Sequence, residues 1–281
     1  MSNTVSAEWL RERLRDPDLA IADCRFVLGD PAAGKLSYEN GHLPGAVYFD
    51  LERDLSGPIG IHGGRHPLPE AERLAAKLGA AGIGGASTVV AYDDQGGAMA
   101  SRLWWILNYY GHTQVYVLDG GYGGWIRRGY PLETEVRSRP AETFVPRLRH
   151  NWLVDAAQVR RRLGDEAAIL VDSRDARRYL GIEEPIDKAA GHIPGAVHYD
   201  WKSVFTAEGA LREPAELQEH FRALDPAKEI VVYCGSGVTA CANVLALTEA
   251  GYANVKLYGG SWSDWITYPD HPIETQPESN S

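Results

Sequence analysis

The chain is expected to be an α/β protein made of two tandem copies of one domain, each a largely parallel sheet flanked by helices. Three observations predict this. One order of motifs occurs twice, short apolar runs alternate with helical patterns in both halves, and a β-branched run ends on a cysteine where a strand hands over to a helix.

The repeat sets the domain count. Gly41-His42-Leu43-Pro44-Gly45-Ala46-Val47 returns as Gly191-His192-Ile193-Pro194-Gly195-Ala196-Val197. Ile21-Ala22-Asp23-Cys24-Arg25 answers Leu170-Val171-Asp172-Ser173-Arg174, Val89 to Asp93 answers Ile230 to Cys234, and Val115 to Trp125 answers Val255 to Trp265. Four matched blocks in one order predict an inactive copy over residues 1–135, a linker over 136–151 and a chemically active copy over 152–281. The linker reading rests on prolines at 131, 140 and 146 and on the lack of periodicity between Pro131 and Asn151.

In the first half the patterns predict a helix near Ala7–Arg15, strands near Leu19–Asp23 and Ala46–Phe49, and a helix near Pro69–Leu78. A strand at Thr88–Tyr92, a helix at Ala98–Tyr110, a strand at Gln114–Leu118 and a short helix near Tyr122–Arg128 follow. The second half repeats this with helices near Asp155–Leu163, Pro214–Ala223, Thr239–Ala250 and Trp262–Ile266. Its strands are expected near Ala168–Asp172, Val197–Tyr199, Glu229–Tyr233 and Asn254–Leu257.

Ligands of such sheets bind beyond the carboxyl ends of the strands, and Cys234 stands at one such end. Behind it, Gly235-Ser236-Gly237-Val238-Thr239 can curl without Cβ clashes, so that successive backbone N–H groups form an anion-binding nest at the start of a helix. That setting favours thiolate over thiol and makes Cys234 the candidate nucleophile. In the first copy the same place holds Asp93, which cannot carry sulfur and repels an incoming anion. Cys24 and Cys241 read as buried structural thiols.

At 281 residues, with 44% hydrophobic residues, the chain has length and apolar content for two ordinary cores. No run approaches a membrane span and the N-terminus lacks a signal-peptide layout, so a cytoplasmic protein is expected. A net charge of −10 argues against nucleic-acid or anionic-membrane partners, and three cysteines suit a reducing compartment.

These motifs together resemble the tandem rhodanese family of sulfurtransferases, from about Ser6 to Thr275. The loop Cys-Gly-Ser-Gly-Val-Thr is similar to that of the family's 3-mercaptopyruvate group. The sister thiosulfate:cyanide group carries basic residues directly after the cysteine, where this chain has Gly235 and Ser236. The resemblance implies a relay without metal or cofactor: Cys234 takes sulfur from a small donor, becomes a persulfide, and passes the sulfur to thioredoxin, another thiol or cyanide. Gly235, Gly237, Val238 and Thr239 would hold the anionic sulfur through their amides. Arg178 matches the family arginine that grips the donor's acid group, with Arg177 as a neighbouring alternative. A second substrate arginine, expected some nine residues later, is missing from Glu184-Pro185-Ile186-Asp187-Lys188, leaving Lys188 as a stand-in charge. The group also implies a relay in which a carboxylate and a histidine from the inactive domain reach a loop serine. Glu52, His66 and Ser236 occupy those positions, though His66 equally suits loop packing. His42 and His192 occur in both copies and read as structural, and Trp104, Trp105, Trp262 and Trp265 as core or interface aromatics, with Trp262 also a candidate pocket wall.

Two rivals remain at this level. A cysteine-based phosphatase uses a similar loop, but its loop closes on an arginine where this chain has Ala240. A non-catalytic rhodanese-type scaffold fits the first copy, whereas the intact Cys234 loop speaks against it for the second.

Overall fold

The computed structural model describes residues 2–136 and 139–275 and forms two compact units. The first runs to Gly57 and takes in Leu68–Arg149 and Phe205–Leu211; the second is Pro58–Pro67, His150–Val204 and the chain from Arg212 onward. Two short segments thus pack with the unit opposite to the one their place in the sequence suggests. Of the expected linker, residues 137 and 138 lie outside the described residues. The stretch from 139 to 149 is tied to the first unit, with Glu142 N–H donating to the Gly79 carbonyl at 2.9 Å and Arg147 N–H to that of Tyr110 at 2.7 Å.

The first unit contains β1 (Thr4–Val5), α1 (Ala7–Glu12), β2 (Leu19–Asp23), α2 (Ala33–Asn40), β3 (Ala46–Tyr48), α3 (Ala71–Ala80), β4 (Thr88–Tyr92), α4 (Ala98–Tyr109), β5 (Val115–Leu118) and α5 (Gly121–Arg127). Its strands are all parallel, in the order β1-β5-β4-β2-β3. In the second unit follow β6 (Leu153–Val154), α6 (Ala156–Arg160), β7 (Ala168–Asp172), α7 (Ala176–Leu180), β8 (Val197–His198), α8 (Pro214–His220), β9 (Glu229–Tyr233), α9 (Ala240–Glu249), β10 (Val255–Tyr258) and α10 (Ser261–Trp265). The order β6-β10-β9-β7-β8 repeats the first sheet. Parallel strands covered on both faces read as continuous apolar runs, and β2 is buried at every position. α4 is buried along its whole length, so it shows no polar face in the sequence.

Both copies are pinned by the same polar set. Arg25 grips Asp23 and Arg174 grips Asp172 through Nε and Nη2, and each arginine also donates to a glycine carbonyl, Gly41 or Gly191. His42 Nδ1–H donates to the Tyr38 carbonyl at 2.8 Å and His192 Nδ1–H to that of Tyr179 at 2.7 Å, each ring stacked on that tyrosine. Both histidines are buried, and the role they share across the copies is the structural one expected.

The differences from the predicted elements have local causes. α1 stops at Glu12 rather than Arg15, because the chain turns from Arg13 toward Pro17, with Asp16 N–H on the Arg13 carbonyl. α6 ends at Arg160, three residues early, ahead of Gly164 in the left-handed region. Not anticipated were the edge strands β1 and β6, only two residues each, the helices α2 and α7, and the short 3-10 helices His150–Trp152 and Trp201–Val204. α7 is five residues of Ala-Arg-Arg-Tyr-Leu, too short for periodicity to register, and its signal is the Asp175 side chain accepting from Arg177 N–H. No helix among the described residues is long and apolar enough to cross a membrane.

Candidate active site

Cys234 is the first residue past β9, a central strand of the second sheet. From β7 the chain runs to β8 on one side and returns to β9 on the other. The cysteine therefore lies at the point where the strand order reverses, the usual ligand crevice of an open parallel sheet. It is 2% exposed. The loop behind it is fixed from α10: Cys234 N–H donates to Ser261 Oγ at 3.1 Å, while Trp262 N–H and Ser263 N–H donate to the carbonyls of Cys234 and Gly235 at 3.0 and 2.9 Å. Ser261 is held at φ +54°, the one non-glycine among the described residues with positive φ. Gly237, at φ +78°, packs against the Gly259 backbone so closely that a Cβ would collide with its carbonyl oxygen. With the carbonyls of Cys234 and Gly235 engaged, the N–H groups of Gly235, Ser236, Val238 and Thr239 reach no backbone acceptor among the described residues, at the mouth of α9.

The corresponding loop of the first unit shows what such a nest holds. Asp93 Oδ1 accepts from Gln95 N–H and Gly97 N–H at 2.9 and 2.8 Å, and Oδ2 accepts from Met99 N–H and Ala100 N–H at 2.7 and 2.8 Å. Burial raises the Asp93 carboxyl above its ordinary range while these four bonds pull it down. The sequence led us to expect that Asp93 repels an anion from the loop. In the structure the carboxylate is itself the loop's anion.

Three side chains attend the Cys234 loop. His66 Nδ1 and Ser236 Oγ, both buried, share a hydrogen bond of 2.8 Å. Arg178, on α7, has its guanidinium 3.4 Å from the place a Cβ would take on Gly235, and that of Arg65 stands at 3.0 Å. Arg65 and His66 arrive on Pro58–Pro67, which is fastened along α10. Gly63 N–H donates to Asp264 Oδ1 at 2.7 Å, Arg65 N–H to Ser263 Oγ at 3.1 Å, and His62 stacks on Tyr268.

Behind the arginines lie two carboxylates whose side chains are 4% exposed. Arg178 Nε donates to both Glu184 oxygens at 2.9 Å, and its Nη2 to Asp187 Oδ2 at 3.0 Å. Arg65 Nη1 pairs with the other Asp187 oxygen, and Arg174 Nη1 reaches Glu184 at 3.3 Å. Burial lowers the Arg65 guanidinium from its usual value. The nearby Cys234 and Glu184 push it up, and Arg178 and Arg174 push it down.

The structure separates residues the sequence left together. Arg177 is exposed and pairs with Glu183 at 3.0 Å, so Arg178 is the arginine at the loop. Lys188 is exposed, whereas its neighbour Asp187 turns inward to the arginines. Glu52 lies in the first unit with an exposed side chain, its N–H on Asp50 Oδ1 at 2.9 Å. Trp262 belongs to the second core, and its Nε1–H donates to the Ala189 carbonyl at 2.8 Å. Trp104 and Trp105 are likewise buried. Cys24 and Cys241 are buried, the former with its thiol pushed well up by burial and by Asp23 and the latter donating to the Gly237 carbonyl at 3.4 Å. Arg65 was missed altogether. Its signal was a cation directly before His66, in a segment whose fold partner lies some 200 residues away, as the Gly63–Asp264 bond shows.

Comparison with known proteins adds to this. The family model for the rhodanese-like domain matches twice, over residues 6–128 and 155–268. A protein of Pseudomonas aeruginosa named as a probable 3-mercaptopyruvate sulfurtransferase is 44% identical over 277 residues, covering 96% of this chain and 97% of that one. An Arabidopsis thaliana protein named thiosulfate/3-mercaptopyruvate sulfurtransferase 1 is 32% identical over 98% of this chain and 79% of its own. The crystal structure of the Escherichia coli 3-mercaptopyruvate sulfotransferase SseA superposes with a TM-score of 0.84, at 33% identity, over 94% of this chain and 100% of that one.

Proposed function

The chain belongs to the rhodanese-like family, and we propose that it works as a sulfurtransferase in which Cys234 carries sulfur from 3-mercaptopyruvate to a thiol acceptor. The Cys234 thiolate attacks the donor's thiol sulfur. An S–S bond forms, the C–S bond breaks, and its electron pair leaves as the enolate of pyruvate. That carbon must gain a proton, and the sulfur has one to lose as it becomes a persulfide anion. Ser236 and His66, 2.8 Å apart beside the loop, are the groups proposed to pass it. The spare amides of Gly235, Ser236, Val238 and Thr239 then hold the outer sulfur as the Asp93 nest holds a carboxylate. In the second half-reaction an acceptor thiolate, for which thioredoxin is the proposed type, or cyanide in an assay, attacks that sulfur and Cys234 leaves as thiolate. An odd count of three cysteines suits a reducing compartment, and the cytoplasm is the proposed place of work.

The observation that carries this reading is Cys234 at the reversal point of the sheet, in a loop whose twin demonstrably cradles an anion. Steady-state formation of thiocyanate from 3-mercaptopyruvate and cyanide tests it, with thiosulfate alongside. Turnover that prefers mercaptopyruvate and vanishes in Cys234→Ser is expected. No thiocyanate from either donor contradicts the sulfurtransferase reading and favours a binding scaffold.

A further inference from the structure

The first unit has Asp93 in place of a cysteine, yet it holds a cleft of about 570 Å³ beside its edge strand β3, between the start of α2, the turn after β3 and Lys77 of α3. A volume of that order suits a small molecule. The charged side chains of the cleft fall into two kinds. Lys35 pairs with Glu39 at 3.6 Å and Lys77 with Asp54 at 3.2 Å, so these satisfy one another. Asp50 and Arg53 have no such partners. Asp50 is 6% exposed, and no cation pairs with it among the described residues. Its Oδ1 accepts from the N–H groups of Glu52 and Arg53 at 2.9 and 2.8 Å. Its Oδ2 meets the Tyr48 hydroxyl at 3.4 Å, and the one hydrogen of that hydroxyl is shared with the nearer Arg25 carbonyl at 3.2 Å. Burial first, and then Asp50, push the Tyr48 phenol up, so it stays protonated and adds no charge. A carboxylate buried without a cation is costly, and the penalty falls when a cation arrives. Arg53, three residues on, is exposed, and its guanidinium makes no hydrogen bond or ion pair among the described residues.

We propose that this cleft binds a small zwitterion, an α-amino acid or a dipeptide, whose ammonium group is taken by Asp50 Oδ2 and whose carboxylate is taken by Arg53. An ammonium group supplies the charged donor that Oδ2 lacks, and the arginine fork matches a carboxylate through two N–H groups. Leu36, 55% exposed, and Pro31 line the same cleft and give the ligand's carbon chain an apolar wall. Lys35, Arg53 and Lys77 balance Glu39, Asp50 and Asp54, so the cleft offers no net charge to attract an ion of one sign alone. The feature belongs to the first copy. In the repeat that aligns Asp50 with Asp200, the second copy has Ser203 where the first has Arg53, and it leaves Asp200 partly exposed. None of these residues touches the Cys234 loop, so the site stands whether or not Cys234 carries sulfur.

Isothermal titration of the full chain tests this, with L-alanine and L-alanyl-L-alanine as probes and with propionate and ethylamine, each carrying one of the two charges, as controls. At least one zwitterion is expected to bind with a Kd below about 1 mM, and both controls at least about tenfold more weakly. Which of the two zwitterions binds better tells an amino acid from a dipeptide. Arg53→Gln is expected to weaken that binding at least about tenfold, and Arg53→Lys, which keeps the charge without the fork, by less. Asp50→Asn, which keeps an acceptor for the N–H groups of Glu52 and Arg53, is expected to weaken it by about the same factor as Arg53→Gln. Should Asp50→Asn fold poorly, Arg53→Gln decides alone, because the Arg53 side chain is exposed and makes no polar contact among the described residues. Absence of binding by both zwitterions, a control that binds as tightly as they do, or a zwitterion affinity unchanged in Arg53→Gln overturns the proposal.

Discussion

The Asp93 loop and the Cys234 loop are the same backbone device put to two uses. Both follow a buried central strand and lead into a buried helix, and both receive a segment from elsewhere in the chain. Over the first lies Phe205, whose ring is 3.1 Å from the place a Cβ would take on Gly97; beside the second lie Arg65 and His66. In the first loop four N–H groups are satisfied by an internal carboxylate under an apolar lid. In the second, the N–H groups of Gly235, Ser236, Val238 and Thr239 reach no backbone acceptor among the described residues, and Arg65, Arg178 and His66 stand beside them. An aspartate at the place the second copy gives to cysteine costs the first loop little structure, because the carboxylate supplies the anion that the nest requires.

The largest expected effect comes from emptying the first nest. Asp93→Ala strands the buried N–H groups of Gly97, Met99 and Ala100 as well as that of the exposed Gln95, and is expected to cost about 3 kcal/mol of stability, read as a lower denaturation midpoint. Unchanged stability shows that the nest tolerates vacancy and that the two loops are not alike. Next is His66→Ala, which should slow kcat with 3-mercaptopyruvate about 100-fold and with thiosulfate far less, since sulfite leaves without protonation at carbon. Equal losses for the two donors reduce His66 to a packing role. A smaller effect is expected of Gly235→Ala. Its Cβ must displace the Arg65 guanidinium by a few tenths of an ångström, and KM for the donor should rise several-fold, by about 1 kcal/mol. The same crowding makes a bulky cation at position 235 a poor route to thiosulfate activity. Smallest is Cys24→Ser, the exchange already present at Ser173 in the second copy. Its turnover should stay within about twofold of wild type, measured in the thiocyanate assay.

Much of this was legible in the sequence, for reasons that differ by element. The central strands and α4 and α9 announce themselves because continuous burial writes continuous apolar runs, and the duplication made each half a check on the other. Cys234 was legible because a glycine-bearing loop between strand and helix needs few assumptions. The cluster of arginines and carboxylates beside that loop was not. α7 is too short to show a period, and Arg65, Asp187 and Glu184 meet through folding rather than spacing, with Arg65 separated from Asp187 by 122 positions. The sequence shows Glu184-Pro185-Ile186-Asp187-Lys188 where the resemblance implies a second arginine. Only the three-dimensional arrangement shows Arg65 arriving from another segment beside Arg178.

The central claim is that one loop accepts a transferred sulfur while its twin cannot. Peptide mapping by mass spectrometry after incubation with 3-mercaptopyruvate tests it most directly, in the wild-type chain and in Asp93→Cys. The added mass of one sulfur atom is expected on Cys234 alone in both proteins, because a cysteine placed at position 93 lies under Phe205 rather than beside Arg65 and Arg178. Sulfur on Cys24, on Cys241 or on the introduced thiol, or none on Cys234, contradicts the account.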